Sequence, residues 1–222
     1  MNALSLVLLF TVAVSALGIA AHYLLTGSLS LLHSTLCVFL ATHLLICYWE
    51  ICLFRCRTLI EERTKYWHNR RSETGRLPHV EFFTKRIAWR DVLSFKTWAD
   101  LWATYAQYDP SFADRRTFGF NVDVVNGYVT LIPALLLFVT FTIHVLPARL
   151  AGVLGLMLFW QWFYMTTAYY VSFFVAKRHL QLRRSDLLIY IVLMNSPWVL
   201  APLLGLYASF HLVIGGDYRI FM

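Results

Sequence analysis

Long apolar runs separated by short polar breaks dominate this chain. Five of them can cross about 30 Å of hydrocarbon, which takes roughly 20 residues at about 1.5 Å each. They predict helices over approximately Leu4–Leu25, Leu31–Phe54, Phe120–Val145, Ala148–Val175 and Leu187–Ile214, punctuated by Thr26-Gly27-Ser28 and by the stretch around Pro147. These runs are too long for barrel strands, and in lipid only helices or closed barrels satisfy every backbone polar group. The expected fold is therefore all-α, a polytopic membrane protein built as a five-transmembrane-helix bundle. The first run lacks a basic leader and exceeds the apolar part of a secretory signal, so it reads as a retained span.

Between the second and third spans a long polar loop covers about residues 55–117 and carries most of the 19 Lys and Arg residues. Its opening, RCRTLIEERTKYWHNRR, has charge pairs at helical spacing and is expected to extend the second helix. Its end, DVLSFKTWADLWATYAQYD, spaces Val92, Phe95, Trp98, Leu101, Trp102 and Tyr105 along one helical face. That pattern predicts an interfacial amphipathic helix whose aromatic side meets the bundle or the headgroups. A second basic cluster, Lys177, Arg178, Arg183 and Arg184, lies between spans four and five. Connectivity puts both basic loops and the N-terminus on one side, which the positive-inside rule would make cytosolic.

Composition agrees with one membrane domain over 1–222. The chain is 59% hydrophobic and 14% charged, against about 25% charged in a soluble domain. The net charge of +7 sits beside the spans, so it points to membrane lipids as partners and not to nucleic acid. Cys37, Cys47, Cys52 and Cys56 share one span and its edge, without the paired spacings of a disulfide framework or zinc site. No glycine-rich dinucleotide loop, Walker A motif or histidine box occurs, so no cofactor or metal is expected.

Two acids stand out. Glu50 lies inside the second span, in HLLICYWEICLF, and Asp123 near the start of the third, in FGFNVDVVNGYVTLIP. A carboxylate near the bilayer core costs roughly 2.5–3.5 kcal/mol on insertion scales, so it usually faces a protein-lined cavity. Each has a plainer reading: Glu50 as an interhelical hydrogen bond, Asp123 as an acid at headgroup level. His43 is two helical turns before Glu50 on the same face and could equally be a packed histidine. In the fifth span, MNSPWVLAPLL places Asn195 and Trp198 on one face beside Pro197 and Pro202, which suits either a ligand contact or a stabilised kink. The fourth span, WQWFYMTTAYYVSFF, offers Tyr164, Thr167 and Tyr169. Such an aromatic wall serves packing, or stacks on a flat, transiently cationic guest.

These residues resemble the emopamil-binding protein family, the sterol Δ8–Δ7 isomerases of the EXPERA superfamily. The stretch WATYAQYDPSFADRRTFGFNVDV carries the likeness, with Trp102, Tyr105, Asp109, Asp114 and Phe118 at the family's spacing and Asp123 at its acidic helix position. The second carrier is MNSPWVLAP, where Asn195, Trp198 and Pro202 match the last helix. The resemblance covers about residues 31–211. Three departures accompany it. Asp123 replaces a glutamate. The histidine expected one turn before Glu50 is Ile46, with His43 a turn further back. The polar loop is longer, and in the family it is lumenal.

The resemblance implies a multi-pass protein of the endoplasmic reticulum that moves a ring double bond without a cofactor. One acid protonates a ring carbon, a base removes a proton from another, and a carbocation forms between. Glu50 and Asp123 would share that work with His43 as a relay, while Asn195, Trp198, Tyr105, Tyr164, Thr167 and Tyr169 hold the substrate. The implied partners are a sterol or other flat apolar lipid, with cationic amphiphilic amines as candidate inhibitors and a homodimer compatible with the family. A non-catalytic sterol or lipid binder of the same superfamily is the alternative.

Overall fold

The computed structural model describes all 222 residues. Helix accounts for 82% of them and no strand forms. In chain order the helices are α1 (Ala3–Thr26), α2 (Leu31–Arg55), α3 (Arg57–Thr74), α4 (Pro78–Thr84), α5 (Phe95–Tyr105), α6 (Phe118–Val129), α7 (Leu131–Ile143), α8 (Ala148–Val175) and α9 (Arg184–Gly215). By length and composition α1, α2, α8 and α9 can each cross a membrane. The pair α6 and α7, bent by 55°, adds a fifth crossing if counted as one.

Three elements differ from expectation. The span expected over Phe120–Val145 breaks at Thr130. Pro133 has no N–H to offer the Val129 carbonyl, so α6 stops there and α7 restarts with the proline in its first turn, where it is tolerated. The basic segment does not extend α2: Cys56, at φ −110° and ψ 17°, leaves the helix for one residue before α3 begins. Finally, α9 is not uniform, because Leu187–Leu193 winds as a π-helix ahead of the regular Pro197–Gly215 part. Pro197 likewise withholds a donor from the Leu193 carbonyl. Tyrosine hydroxyls supplement the bonding of the wide turns. Tyr105 donates to the Tyr190 carbonyl at 3.1 Å and Tyr170 to that of Val192 at 3.0 Å.

The chain divides into two compact units. The first comprises Met1–Leu9, Cys47–Tyr128 and Tyr169–Met194, and the second Phe10–Ile46, Val129–Ala168 and Asn195–Met222. In the first, the apolar face of α5 turns inward. Trp98 lies 5.4 Å from Trp49, and Trp102 stacks on Phe112 at 5.2 Å while its indole N–H donates to the Trp49 carbonyl at 2.7 Å. Buried Asp100 of α5 accepts from Arg63 at 2.6 Å and Trp67 at 3.0 Å, fastening α3 alongside. The start of α1 is tied to the polar segment through Ala3 N–H to the Lys85 carbonyl and Ile87 N–H to that of Met1.

In the second unit, buried Leu36, Phe39, Leu40, Leu137, Phe141, Phe159 and Trp162 form the core with Ala208 and Leu212. Glycines let α8 and α9 approach backbone to backbone: a Cβ on Gly152 would meet the Ser209 carbonyl oxygen at 2.6 Å. Small residues permit such contacts between membrane helices. The His22 and His33 rings stack at 3.8 Å, and His22 Nε2 reaches the Phe221 carbonyl at 2.9 Å.

Candidate functional site

Within the first unit, Glu50 projects from α2 onto α6. Its side chain is 4% exposed. The Asn126 amide donates to both carboxylate oxygens, at 3.0 and 2.8 Å. Gly127 makes this approach feasible, since a Cβ there would sit 2.7 Å from the Glu50 Cβ and 3.0 Å from the Cys47 carbonyl oxygen. The interhelical hydrogen bond expected as the plainer reading of Glu50 is thus present, and it fixes where the carboxylate points.

Asp123 lies one helical turn before Gly127 on the same face of α6. It is half-buried, and no donor in the chain reaches its oxygens. Its charge acts on that of Glu50, and the charge of Asp109 acts on it. Gly119, a turn further back, abuts the Ser111 hydroxyl and the Tyr169 ring, at 2.9 and 3.4 Å from its would-be Cβ. Asp109 is fully buried. It accepts from the Tyr169 hydroxyl at 2.8 Å and the Ser111 N–H at 3.0 Å, and pairs with Arg178 at 3.5 Å. One face of α6 therefore sets Asp123 between two anchored carboxylates, Glu50 beyond Asn126 and Asp109 behind Tyr169. Tyr105 is close by, its ring 5.1 Å from that of Phe112.

The remaining expected site residues belong to the second unit. His43 is fully buried. The Trp198 indole, which can only donate, reaches His43 Nδ1 at 3.0 Å, so the ring proton sits on Nε2, 3.4 Å from the Thr130 hydroxyl. Trp162 covers the imidazole at a ring separation of 4.2 Å. Asn195 is partly buried two residues before Pro197. Tyr164 is 54% exposed and stacks on Trp160, and Thr167 is exposed with its hydroxyl returned to the Phe163 carbonyl. The aromatic wall of α8 is thereby split. Trp162 and Tyr169 turn inward, each within its own unit, while Trp160 and Tyr164 face outward, as suits contact with acyl chains.

Two residues of the acidic cluster were not singled out by sequence reasoning as partners. Asn126 lies three positions from Asp123 in FGFNVDVVNGYVTLIP, but nothing in that stretch marks its bond to Glu50. Asp109 appeared only as a motif position, and nothing local announces its bond to Tyr169, 60 residues away. Two open clefts, about 390 and 330 Å3, run along α4 and are lined by Arg63, Trp67, Glu81, Lys85 and Arg76 among others. Neither includes Glu50 or Asp123. Beside those two clefts, His79 is gripped by the Tyr108 and Tyr190 hydroxyls at 2.8 and 2.9 Å. Burial, then the Arg71 charge, hold its pKa below the ordinary imidazole value. Comparison of the chain with models of known families, with curated proteins and with solved structures finds no match.

Proposed function

We propose that this chain is a multi-pass protein of the endoplasmic reticulum membrane that shifts a ring double bond of a sterol, a cofactor-independent isomerase of the Δ8–Δ7 type. In this reading α6 and α7 form one bent span, giving five crossings, and α5 lies at the interface. The observation that carries the proposal is the contrast between two neighbouring carboxyl groups. Glu50 is immobilised by a bidentate amide, whereas Asp123 has no hydrogen-bond partner and is left able to reach a guest. Asp123 delivers a proton to one ring carbon, Glu50 removes one from another, and the carbocation between them is attracted by both carboxylates and by aromatic faces. The proton lost equals the proton gained, so no oxidant or metal is called for.

A second reading, a sterol or lipid binder without turnover, is favoured by His43. Its ring is committed to Trp198 and Thr130 within the second unit as a buried, packed group. Incubating purified protein with a Δ8-sterol in deuterated water and weighing the products by mass spectrometry separates the two. Product carrying one solvent deuterium, lost in the Asp123→Asn variant, supports the isomerase. Saturable binding without product supports the binder. An Asp123→Asn protein that folds and keeps full turnover removes Asp123 from the proton path.

A further inference from the structure

The segment between α4 and α5 turns its apolar side chains outward. A 3-10 turn at Trp89–Asp91 leads into Leu93, and Trp89 and Leu93 are 72% and 80% exposed. Exposed apolar side chains rimmed by polar residues mark interaction surfaces. The backbone beneath them is held firmly. Trp98 donates to the Val92 carbonyl at 2.7 Å, Tyr48 donates to the Leu93 carbonyl at 2.8 Å, and the Phe95 ring lies 5.6 Å from that of Tyr48. The elbow is therefore docked on α2 with both side chains deliberately unspent on the core of its unit.

Tyr48 gives the elbow a depth. It stands seven residues before Arg55, the last residue of α2, which is about 10 Å along the helix axis. Arg55, with its guanidinium 5.6 Å from the Phe95 ring centre, marks the basic end of that apolar span. A backbone bonded to Tyr48 thus runs beside the hydrocarbon boundary and not out in water. Arg86, Arg90 and Lys96 flank it and are exposed, with Asp91 the one acid nearby, 3.8 Å from Arg90. Long cationic side chains at this level extend toward phosphates while their stems stay in apolar surroundings.

We propose that the Trp89–Leu93 elbow is a membrane wedge. Trp89 and Leu93 enter the acyl–headgroup boundary of the leaflet in which α2 ends, and Arg86, Arg90 and Lys96 bind the phosphates of anionic glycerophospholipids. The proposal rests on α2 crossing the membrane and is independent of any sterol chemistry. Tryptophan at the interface, leucine below it and basic residues above it is the order in which these side chains partition.

Full-length protein in vesicles of mixed phosphatidylcholine and phosphatidylserine tests it. A nitroxide is attached at Leu93→Cys, and separately at Ser72→Cys on the exposed face of α3, each in a Cys56→Ser background so that the remaining cysteines are buried. The label at 93 is expected to relax faster with oxygen than with a water-soluble nickel chelate, and the label at 72 the reverse. Equal nickel accessibility at both positions overturns the wedge and leaves a water-facing surface suited to a protein partner. The lipid class is read from spin-labelled lipids. The preference for phosphatidylserine over phosphatidylcholine is expected to fall about fivefold or more in an Arg86→Gln, Arg90→Gln, Lys96→Gln triple variant, given roughly one factor of five per surface charge. An unchanged preference overturns the headgroup assignment. Apart from partly buried Cys56, these variants alter only exposed side chains, and the label at 72 reports whether the unit remains folded.

Discussion

Replacing Asn126 by alanine removes the only side-chain donors on Glu50 while leaving the carboxylate buried. Two contacts are lost, at 3.0 and 2.8 Å. Interhelical hydrogen bonds in membrane proteins contribute about 0.6 and at most about 1.7 kcal/mol each. A buried acceptor stripped of its partner adds about 1–3 kcal/mol of uncompensated desolvation. These overlap, so the expected loss is about 1.5–3 kcal/mol. For a chain of this size that lowers the midpoint by roughly 3–12 °C. Heating detergent-solubilised protein at one fixed rate and following the folded fraction by size-exclusion fluorescence measures it. The decisive comparison is a cycle with Glu50→Ala. In that background the Asn126→Ala cost is expected to fall below about 0.5 kcal/mol, because the group it served has gone. Equal costs with and without Glu50 would refute the idea that this amide exists to hold that carboxylate.

Other consequences follow from the same geometry. Tyr169→Phe takes the hydroxyl from fully buried Asp109 and should cost about 1–3 kcal/mol in the same melting assay; an unshifted midpoint would mean that Ser111 and Arg178 suffice. Gly127→Ala brings a methyl to 2.7 Å from the Glu50 Cβ, an overpacking expected to cost about 1–3 kcal/mol. It should also slow any turnover although both acids remain, and full activity with full stability would contradict the packing described. His79, whose pKa burial and Arg71 depress, takes up a proton more readily in the unfolded chain, at a pKa of about 6.5. Its contribution is therefore complete above about pH 6.5 and is lost as pH falls below that value. Melting curves from pH 8 to 5 should show this slope in the parent protein and a shallower one in His79→Gln; parallel slopes would exclude His79 as the source.

The helices long and apolar enough to cross a membrane were legible because lipid imposes a strict rule on composition and length. The predicted fourth span, Ala148–Val175, coincides with α8, and the first two agree within a residue at each end. Breaks were harder, although the signals existed: Pro133 and Pro197 each name a carbonyl that loses its donor. The separation of α3 from α2 had no such mark, since Cys56 is no helix breaker by type. Glu50 and Asp123 were visible as acids out of place, but their partners were not. Asn126, Asp109 and Tyr169 join them only through tertiary contacts that no spacing announces. In α8 aromatic residues occur on every side, so hydrophobic pattern alone could not tell inward Trp162 and Tyr169 from outward Trp160 and Tyr164.

The wide turns at Leu187–Leu193 have a consequence for the order in which the protein is assembled. An ordinary membrane helix closes its own backbone and can enter the bilayer alone. Here two carbonyls lean on phenols contributed by α5 and α8, so this stretch reaches its final winding only after those helices have docked. Biogenesis of the first unit should accordingly finish there, with a span made after α5 and α8 acting as the keystone and not as an independent insert.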